Sequence, residues 1–495
     1  MTTIHEAYNL VQSLEHNELR YVSWFMKRRS SASDKNDVVL LKLLTDLPTY
    51  DESQLEDQLS QHQSLKKFTA SSVSRLTKGI LKALRSFREE SSIELTLRNM
   101  LEDDSILKER LIYGAREKLL NKLYAKASAY ELYDVLLEVL DRQILQYLSS
   151  KSDDILIHEK LILFEQTTKA KDYLGRLQIL YYRFFTIYRM GSILTQEELD
   201  RHEEAFALLS SEQDIHGDKF FIKNIYLNTA AMLQLLIGNK AMVYQLRYDQ
   251  VLWWEAHPAM QEYRLTNYKM VLANYLVASF EVGNFLNFPA TLQKFRDLPI
   301  LSLDDEGEVF QNVTFLELVL FLNQDRFEEA LALIPVIESG LLRYGKKVND
   351  ARKMAFSYNI MIVYFELADY ERCIDWINRV RQFKTAHRAD IQARVFLLEL
   401  VAHYSLQNSM ILESLLRNTR RRFQKENRFS VYEDGLFKRF RALILSGPDK
   451  KEKALDQLNH FLVNYESDVK GEQSYCREEL SRWVNRTINP KKKPR

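Results

Sequence analysis

The sequence predicts an all-α protein built from helical pairs in series, and three observations carry that expectation. The 495 residues include only 13 Gly and 8 Pro, against usual shares of about 7% and 5%, so the residues that punctuate hairpins and strands are scarce. Apolar residues recur three and four positions apart over long stretches, which is the spacing of one helix face. Short turn signals separate these stretches, and in the later part of the chain they stand about 39 to 47 residues apart, the length of one helical hairpin plus its connection to the next. A chain of this length exceeds the roughly 250–300 residues at which a single core stops growing, so several units or an elongated array are expected. Hydrophobic residues at 46%, with 26 Tyr and 26 Phe, supply enough apolar surface to bury a long core.

Residues 1–110 read as an N-terminal helical region without a repeat. One helix begins near Glu18, a second covers Asp37–Thr45, and a third starts at Asp51, whose carboxylate can cap it with Gln54 three residues on. A longer helix covers Ser71–Phe87. Its residues Val73, Leu76, Ile80, Leu84 and Phe87 fall on one stripe, and Arg75, Lys78, Lys82 and Arg85 fall on the opposite one. Residues 111–180 read as charged amphipathic helices in antiparallel pairs that lead into the array, with Leu111, Tyr113, Leu119, Leu123 and Tyr124 at core spacing. No proline lies between Pro48 and Pro258, so polar clusters such as 149–154 mark the breaks.

Residues 181–468 carry the series itself, and 469–495 hold the end of a C-terminal helix and a basic tail, with Asn489–Arg495 read as disordered. Turns are expected at Gly191–Ser192, Gly238–Asn239, Gly283–Asn284, Asn323–Asp325, Ala368–Asp369, Gln407–Asn408 and Gly447–Pro448. The small residues Ala330, Cys373, Ser414 and Ala454 come after four of these turns, where a small side chain lets the second helix of a hairpin approach the first.

In the clearest unit Tyr364, Leu367, Ala368, Asp369, Tyr370, Cys373, Ile374 and Ile377 give an aromatic, a small turn residue, a turn aromatic and a small residue in the second helix. Phe321, Phe327, Ala330, Leu331 and Ile334 repeat the pattern. These units resemble the tetratricopeptide repeat, with a period longer than that family's usual length of about 34 residues. The likeness covers roughly residues 180–465, and the whole chain is similar to large tetratricopeptide-like proteins of Bacteroidetes bacteria. The resemblance implies a right-handed superhelical solenoid whose first helices line a concave face and whose role is to bind protein or peptide partners.

Charge and motifs narrow the functional classes. Lys and Arg number 69 against 68 Asp and Glu, a formal charge of +1, so no whole-molecule field draws nucleic acid or an anionic membrane. Cys373 and Cys476 stand too far apart for a zinc knuckle or a disulfide framework and read as reduced structural residues. Met1–Glu6 is not a basic region leading into an apolar stretch, and the apolar run Val313–Leu322 is broken by Glu317, so a soluble cytoplasmic protein without membrane insertion is expected. The phosphate-cradling glycine motifs are missing, and Tyr344–Lys347 lacks both the upstream glycine and the hydroxyl of a P-loop. His202 has no partner histidine four residues on, and no glycine-flanked serine forms a nucleophile elbow. A non-enzymatic protein with no cofactor and no metal is the expectation.

Two groups of residues are the candidate sites. Asn274 and Asn359 each lie nine residues before a turn residue, Gly283 or Ala368, and with Tyr358 and Phe365 they form a candidate partner-binding face. An asparagine amide donates and accepts at once, which suits a peptide bond, and the resemblance implies the same role. Lysines that would complete that family's carboxylate clamp are lacking. Arg75, Lys78, Lys82 and Arg85 form a candidate basic patch for phosphates or an acidic partner. A second cluster, Arg417, Arg420, Arg421 and Arg422, falls near a helix end, where exposed carbonyls favour positive charge. Trp253, Trp254 and Trp376 read as core anchors. The expected function is a scaffold or adaptor binding a protein or peptide partner of unknown identity. The alternative is a regulator whose N-terminal basic helix contacts nucleic acid or an acidic partner while the repeats sense a ligand.

Overall fold

The computed structural model describes residues 3–28, 32–51, 54–55, 59, 70–89, 92–149, 154–190, 194–212, 218–345, 347–383, 389–425, 430–465 and 476–489. Among these residues the secondary structure is twenty-three α-helices with no strand, so the chain is all-α. It divides into two compact units, residues 1–239 and 240–495, with the boundary inside the stretch read from sequence as one series. The expected turn at Gly191–Ser192, most of the Asp51–Leu59 helix and the tail beyond Asn489 lie outside the described residues. Of that helix, the Gln54 N–H donating to the Asp51 carboxylate at 3.2 Å is described, as the capping argument requires.

The first unit holds ten helices: α1 Ile4–Gln12, α2 His16–Arg28, α3 Ala32–Asp46, α4 Ala70–Phe87, α5 Ile93–Glu109, α6 Tyr113–Ala129, α7 Tyr133–Ser149, α8 Asp154–Met190, α9 Gln196–Ser210 and α10 Phe220–Ile237. Helices α1 to α4 share one core, built on Ala7, Val22, Leu44, Leu76, Ile80 and Ala83. A separate core joins α5, α6, α7, α8 and α10 through Leu97, Leu123, Val139, Tyr173 and Ile222. Helix α10 is long and apolar enough to cross a membrane by length and composition, yet Ile222 and Ala231 are fully buried and its first turn is held by a carboxylate from another part of the unit.

The second unit holds thirteen: α11 Lys240–Glu255, α12 Pro258–Tyr263, α13 Leu265–Val282, α14 Phe288–Asp297, α15 Leu303–Asn323, α16 Phe327–Tyr344, α17 Asp350–Glu366, α18 Tyr370–Arg381, α19 Ala389–Ser405, α20 Ser409–Lys425, α21 Val431–Leu445, α22 Pro448–Asn464 and α23 Arg477–Ile488. Consecutive helices pack on one another, and alternate helices also touch where α13 meets α15, α15 meets α17 and α17 meets α19. One continuous core runs from Leu318 through Met361, Leu397 and Phe440 to Trp483.

One turn geometry recurs through both units. Leu111, Glu131, Gly238, Gly283, Asp325, Ala368 and Gln407 all take positive φ between 49° and 83°. At each, the next residue's N–H reaches back to a carbonyl five positions earlier: Ile112 to Leu107, Leu132 to Ala127, Asn239 to Gln234, Asn284 to Ser279, Arg326 to Phe321, Asp369 to Tyr364 and Asn408 to His403. This is the Schellman helix stop, which satisfies carbonyls that the helix end leaves open. Five positions past each turn residue a side chain is buried: Arg116, Leu136, Val243, Phe288, Ala330, Cys373 and Leu412.

That register corrects three sequence expectations. Leu111 is the left-handed turn residue and is 67% exposed, and Tyr113 is exposed with it, so neither is at a core position. Ser414 is exposed, because the inward position of its hairpin falls to Leu412 and Leu416. The 111–180 stretch also breaks at Tyr130–Leu132, where no glycine or proline signals a stop.

Candidate functional site

The four residues expected to form a partner-binding face do not share one environment. Asn274 is exposed on α13, on a stripe with Met270 at 58% and Val277 at 51% exposure, so an amide stands between two uncovered apolar side chains. Asn359 is half-buried, and its amide donates to the Ala355 carbonyl one turn back at 2.9 Å. Phe365 is 0% exposed and lies edge-on to Tyr370 with ring centroids 5.9 Å apart. Its expected role in contacting a partner is therefore corrected to core packing.

The fourth residue, Tyr358, is half-buried against the second unit's core. Burial pushes its hydroxyl pKa up, beside Cys476, Glu479 and Arg394, and two of those neighbours belong to the start of the C-terminal helix. That helix, α23, lies against several others. Trp483 stacks on Phe440 of α21, meets Tyr404 of α19 edge-on, and donates its indole N–H to the Ser405 hydroxyl at 3.1 Å. Arg482 and Arg486 bracket the fully buried Glu366 carboxylate of α17 at 2.9 and 3.0 Å. The face where sequence periodicity places a ligand is occupied in this region by residues more than a hundred positions further along the chain. Spacing along one helix cannot distinguish an open groove from a covered one.

The basic patch is assembled by three helices. Arg75 is not free in solvent, because its guanidinium grips both oxygens of the buried Asp37 of α3 at 2.7 and 2.8 Å. Lys78, Lys82 and Arg85 are exposed and line a cavity of about 450 Å³ with Arg75, Gly79, Phe25, Met26 and Asp37. The second basic cluster opens on a groove of about 670 Å³ lined by Arg417, Arg420, Lys438, Arg441 and Glu413. There Asp434 accepts from Arg420 at 2.9 Å and Lys438 at 2.7 Å, and Arg422 lies over the Phe396 ring at 4.4 Å.

Sequence reasoning missed the first half of α8. Ile155, Leu156, Ile157, Leu161, Ile162, Leu163 and Phe164 put apolar side chains all round the helix, a composition that normally marks a buried segment. None of residues 154–169 is buried, and Ile155 and Ile162 stand 65% and 43% exposed. The run was legible as apolar, but periodicity gives no sign of whether a neighbour covers it.

Of the tryptophans, Trp254 and Trp376 are buried and Trp253 is half-buried against His257. Both cysteines are free and buried. Among the described residues no group of three or more His, Cys, Asp or Glu is placed to hold a metal ion. Comparison with known family models, with curated proteins and with solved structures gives no match for the chain.

Proposed function

We propose that the chain is a non-enzymatic scaffold or adaptor that binds another protein, its hairpins stacked as a tetratricopeptide-like array. The observation that carries this reading is the exposure of the apolar residues Ile155, Leu156, Leu161 and Ile162 in the first half of α8. Exposed apolar area costs about 25 cal/mol per Å² relative to burial, and a contiguous apolar patch on a soluble surface is most often an interaction site. The occupant that suits it is an amphipathic helix of a partner protein, whose apolar stripe can lie along Ile155 and Ile162 while its polar face stays in water. The Met270, Asn274 and Val277 stripe of α13 supports a second contact, with the amide giving direction and the flanking side chains giving area.

The test compares wild type with the Ile155→Glu, Ile162→Glu double variant in affinity capture from the native organism's extract. Each protein recovered is then purified and its binding measured directly. A partner that binds wild type and loses at least about tenfold in affinity for the variant, a conservative figure for two buried apolar anchors, supports the reading. Identical recovery and identical affinities remove α8 as the docking surface, and recovery of nothing above background removes the scaffold reading.

A further inference from the structure

We propose that the cavity between α2, α3 and α4 is a binding site for a small ligand carrying clustered phosphate groups. Residues 70–87 contain no Asp or Glu, and Arg75, Lys78, Lys82 and Arg85 succeed one another at helical-turn spacing. Like charges one turn apart on a helix repel by a few tenths of a kcal/mol per pair, so the stripe weakens the helix that carries it. An acid on the same stripe would remove that cost, and α4 has none.

The described residues of the neighbouring helices do not neutralise the stripe either. Among the described residues the single carboxylate lining the cavity is Asp37, and Arg75 takes both of its oxygens. That pair fixes Arg75 in place and leaves Lys78, Lys82 and Arg85 with no ion pair among the described residues. The facing end of α2 adds Lys27 and Arg28 in its last turn and no acid. The second basic groove differs on this point, since Asp434 and Glu413 offset its cations.

The shape of the cavity narrows the ligand. Gly79 sits between the two lysines, and a Cβ there would come within 3.3 Å of the Met26 methyl, so a larger residue would crowd this wall. Phe25 and Met26 add apolar side chains to the cavity's lining. A volume of about 450 Å³ suits a small molecule. A lone carboxylate brings one negative charge to three cations, whereas linked phosphates bring several charges with acceptor oxygens that match lysine and the arginine fork.

The test uses the full-length chain at low ionic strength, with inorganic tripolyphosphate and ATP as probes in isothermal titration calorimetry and a 20-nucleotide single-stranded DNA as a competitor. Expected is one-to-one binding of tripolyphosphate or ATP, weakened about a hundredfold by Lys78→Glu with Lys82→Glu, taking about tenfold for each charged hydrogen bond removed. Arg417→Glu with Arg441→Glu, in the other basic groove, should leave the affinity unchanged. Binding by tripolyphosphate alone marks the phosphates as sufficient, and a gain with ATP adds the apolar lining. No binding by either probe, loss through the 417 and 441 variant instead, or a DNA that binds and is not displaced by tripolyphosphate would each overturn the proposal. The altered lysines are exposed, and the single variant Arg85→Glu repeats the test if the double variant loses its helical circular dichroism.

Discussion

The carboxylate of Glu131 accepts hydrogen bonds from the backbone N–H groups of Phe220 and Phe221, at 2.7 and 2.9 Å. A residue in a left-handed turn between α6 and α7 thus closes the N-terminus of α10, 89 positions further on. The first N–H groups of a helix have no partner within it and carry partial positive charge, so a carboxylate there both satisfies and stabilises them. The Lys219 side chain makes no cap bond at that end, leaving the task to Glu131. Glu131→Ala is expected to lower unit stability by about 1–2 kcal/mol, with Glu131→Gln retaining part of it, measured by urea unfolding. Equal stability of wild type and Glu131→Ala would show the bond to be dispensable.

Lys269 and Asp305 form a buried pair in the second unit, with the ammonium 2.6 Å from the carboxylate and side chains only 6% and 8% exposed. The ammonium also donates to the Pro299 carbonyl at 2.7 Å, and the same carboxylate oxygen accepts the Leu301 N–H at 2.7 Å. The pair therefore ties α13 to the segment that starts α15. Removing one partner leaves a buried charge unpaired, at a cost of about 3–5 kcal/mol. Lys269→Met is expected to lose that much, while Lys269→Met with Asp305→Leu should recover a large part of it. A double variant no more stable than the single one would refute this account of the cost.

Leu111 holds φ at 58° without packing to reward it, being mostly exposed. A left-handed conformation costs a side-chain-bearing residue about 1–2 kcal/mol, and glycine gives back roughly 0.5–1 kcal/mol through its freer unfolded chain. Leu111→Gly is therefore expected to stabilise by about 0.5–1 kcal/mol. Gly238→Ala should move the other way: φ is 83° there with nothing within 4 Å of the added carbon, so its cost is conformational alone. Thermal unfolding of the two variants checks both signs.

These turns also mark how far the sequence could be read. Gly238 and Gly283 announce their stops, because glycine reaches positive φ freely, and Asp325, Ala368 and Gln407 stand out as polar or small residues between apolar runs. Leu111 gives no such signal, being apolar within an apolar stretch, and Glu131 sits where no glycine marks the stop, yet both take the same left-handed turn. The basic stripe of α4 was legible as a stripe, but not the loss of Arg75 to Asp37, which depends on a helix 38 positions earlier. Asn274 and Phe365 occupy equally plausible positions along their helices, yet one is open and the other buried. Phe365 is buried because its ring packs into the second unit's core beside Tyr370, and on the same helix α23 is seated through contacts 116 to 121 positions apart that no local pattern encodes.

The two thiols report on that seat. Burial pushes the pKa of both Cys373 and Cys476 up, which suppresses the reactive thiolate. Neither is expected to react with iodoacetamide at pH 8 until the second unit opens. Cys476 lies just before α23 and Cys373 in α18, yet both belong to one core with Leu480 and Trp483, so the two should be modified at the same rate. Mass spectrometry of partially alkylated protein reads this directly. Much faster modification of Cys476 would mean that α23 leaves on its own.

Glu366 gives the same seat a pH dependence. Burial raises the pKa of its carboxyl above the ordinary carboxylate value, outweighing the opposing pull of Arg482 and Arg486. A carboxyl raised in the folded state holds its proton more tightly folded than unfolded, so its ionised form works against the fold at neutral pH. That penalty fades as pH falls through the raised value and is gone below about 4.5, the unfolded value. Glu399, buried beside Arg381, is shifted in the same direction by the same cause. Glutamine mimics the neutral carboxyl at all pH values. Wild type is therefore expected to gain stability relative to Glu366→Gln as pH falls from 7 towards 4.5, measured as the difference between their urea midpoints. A difference that moves the opposite way would place the arginines, not burial, in control of this carboxyl.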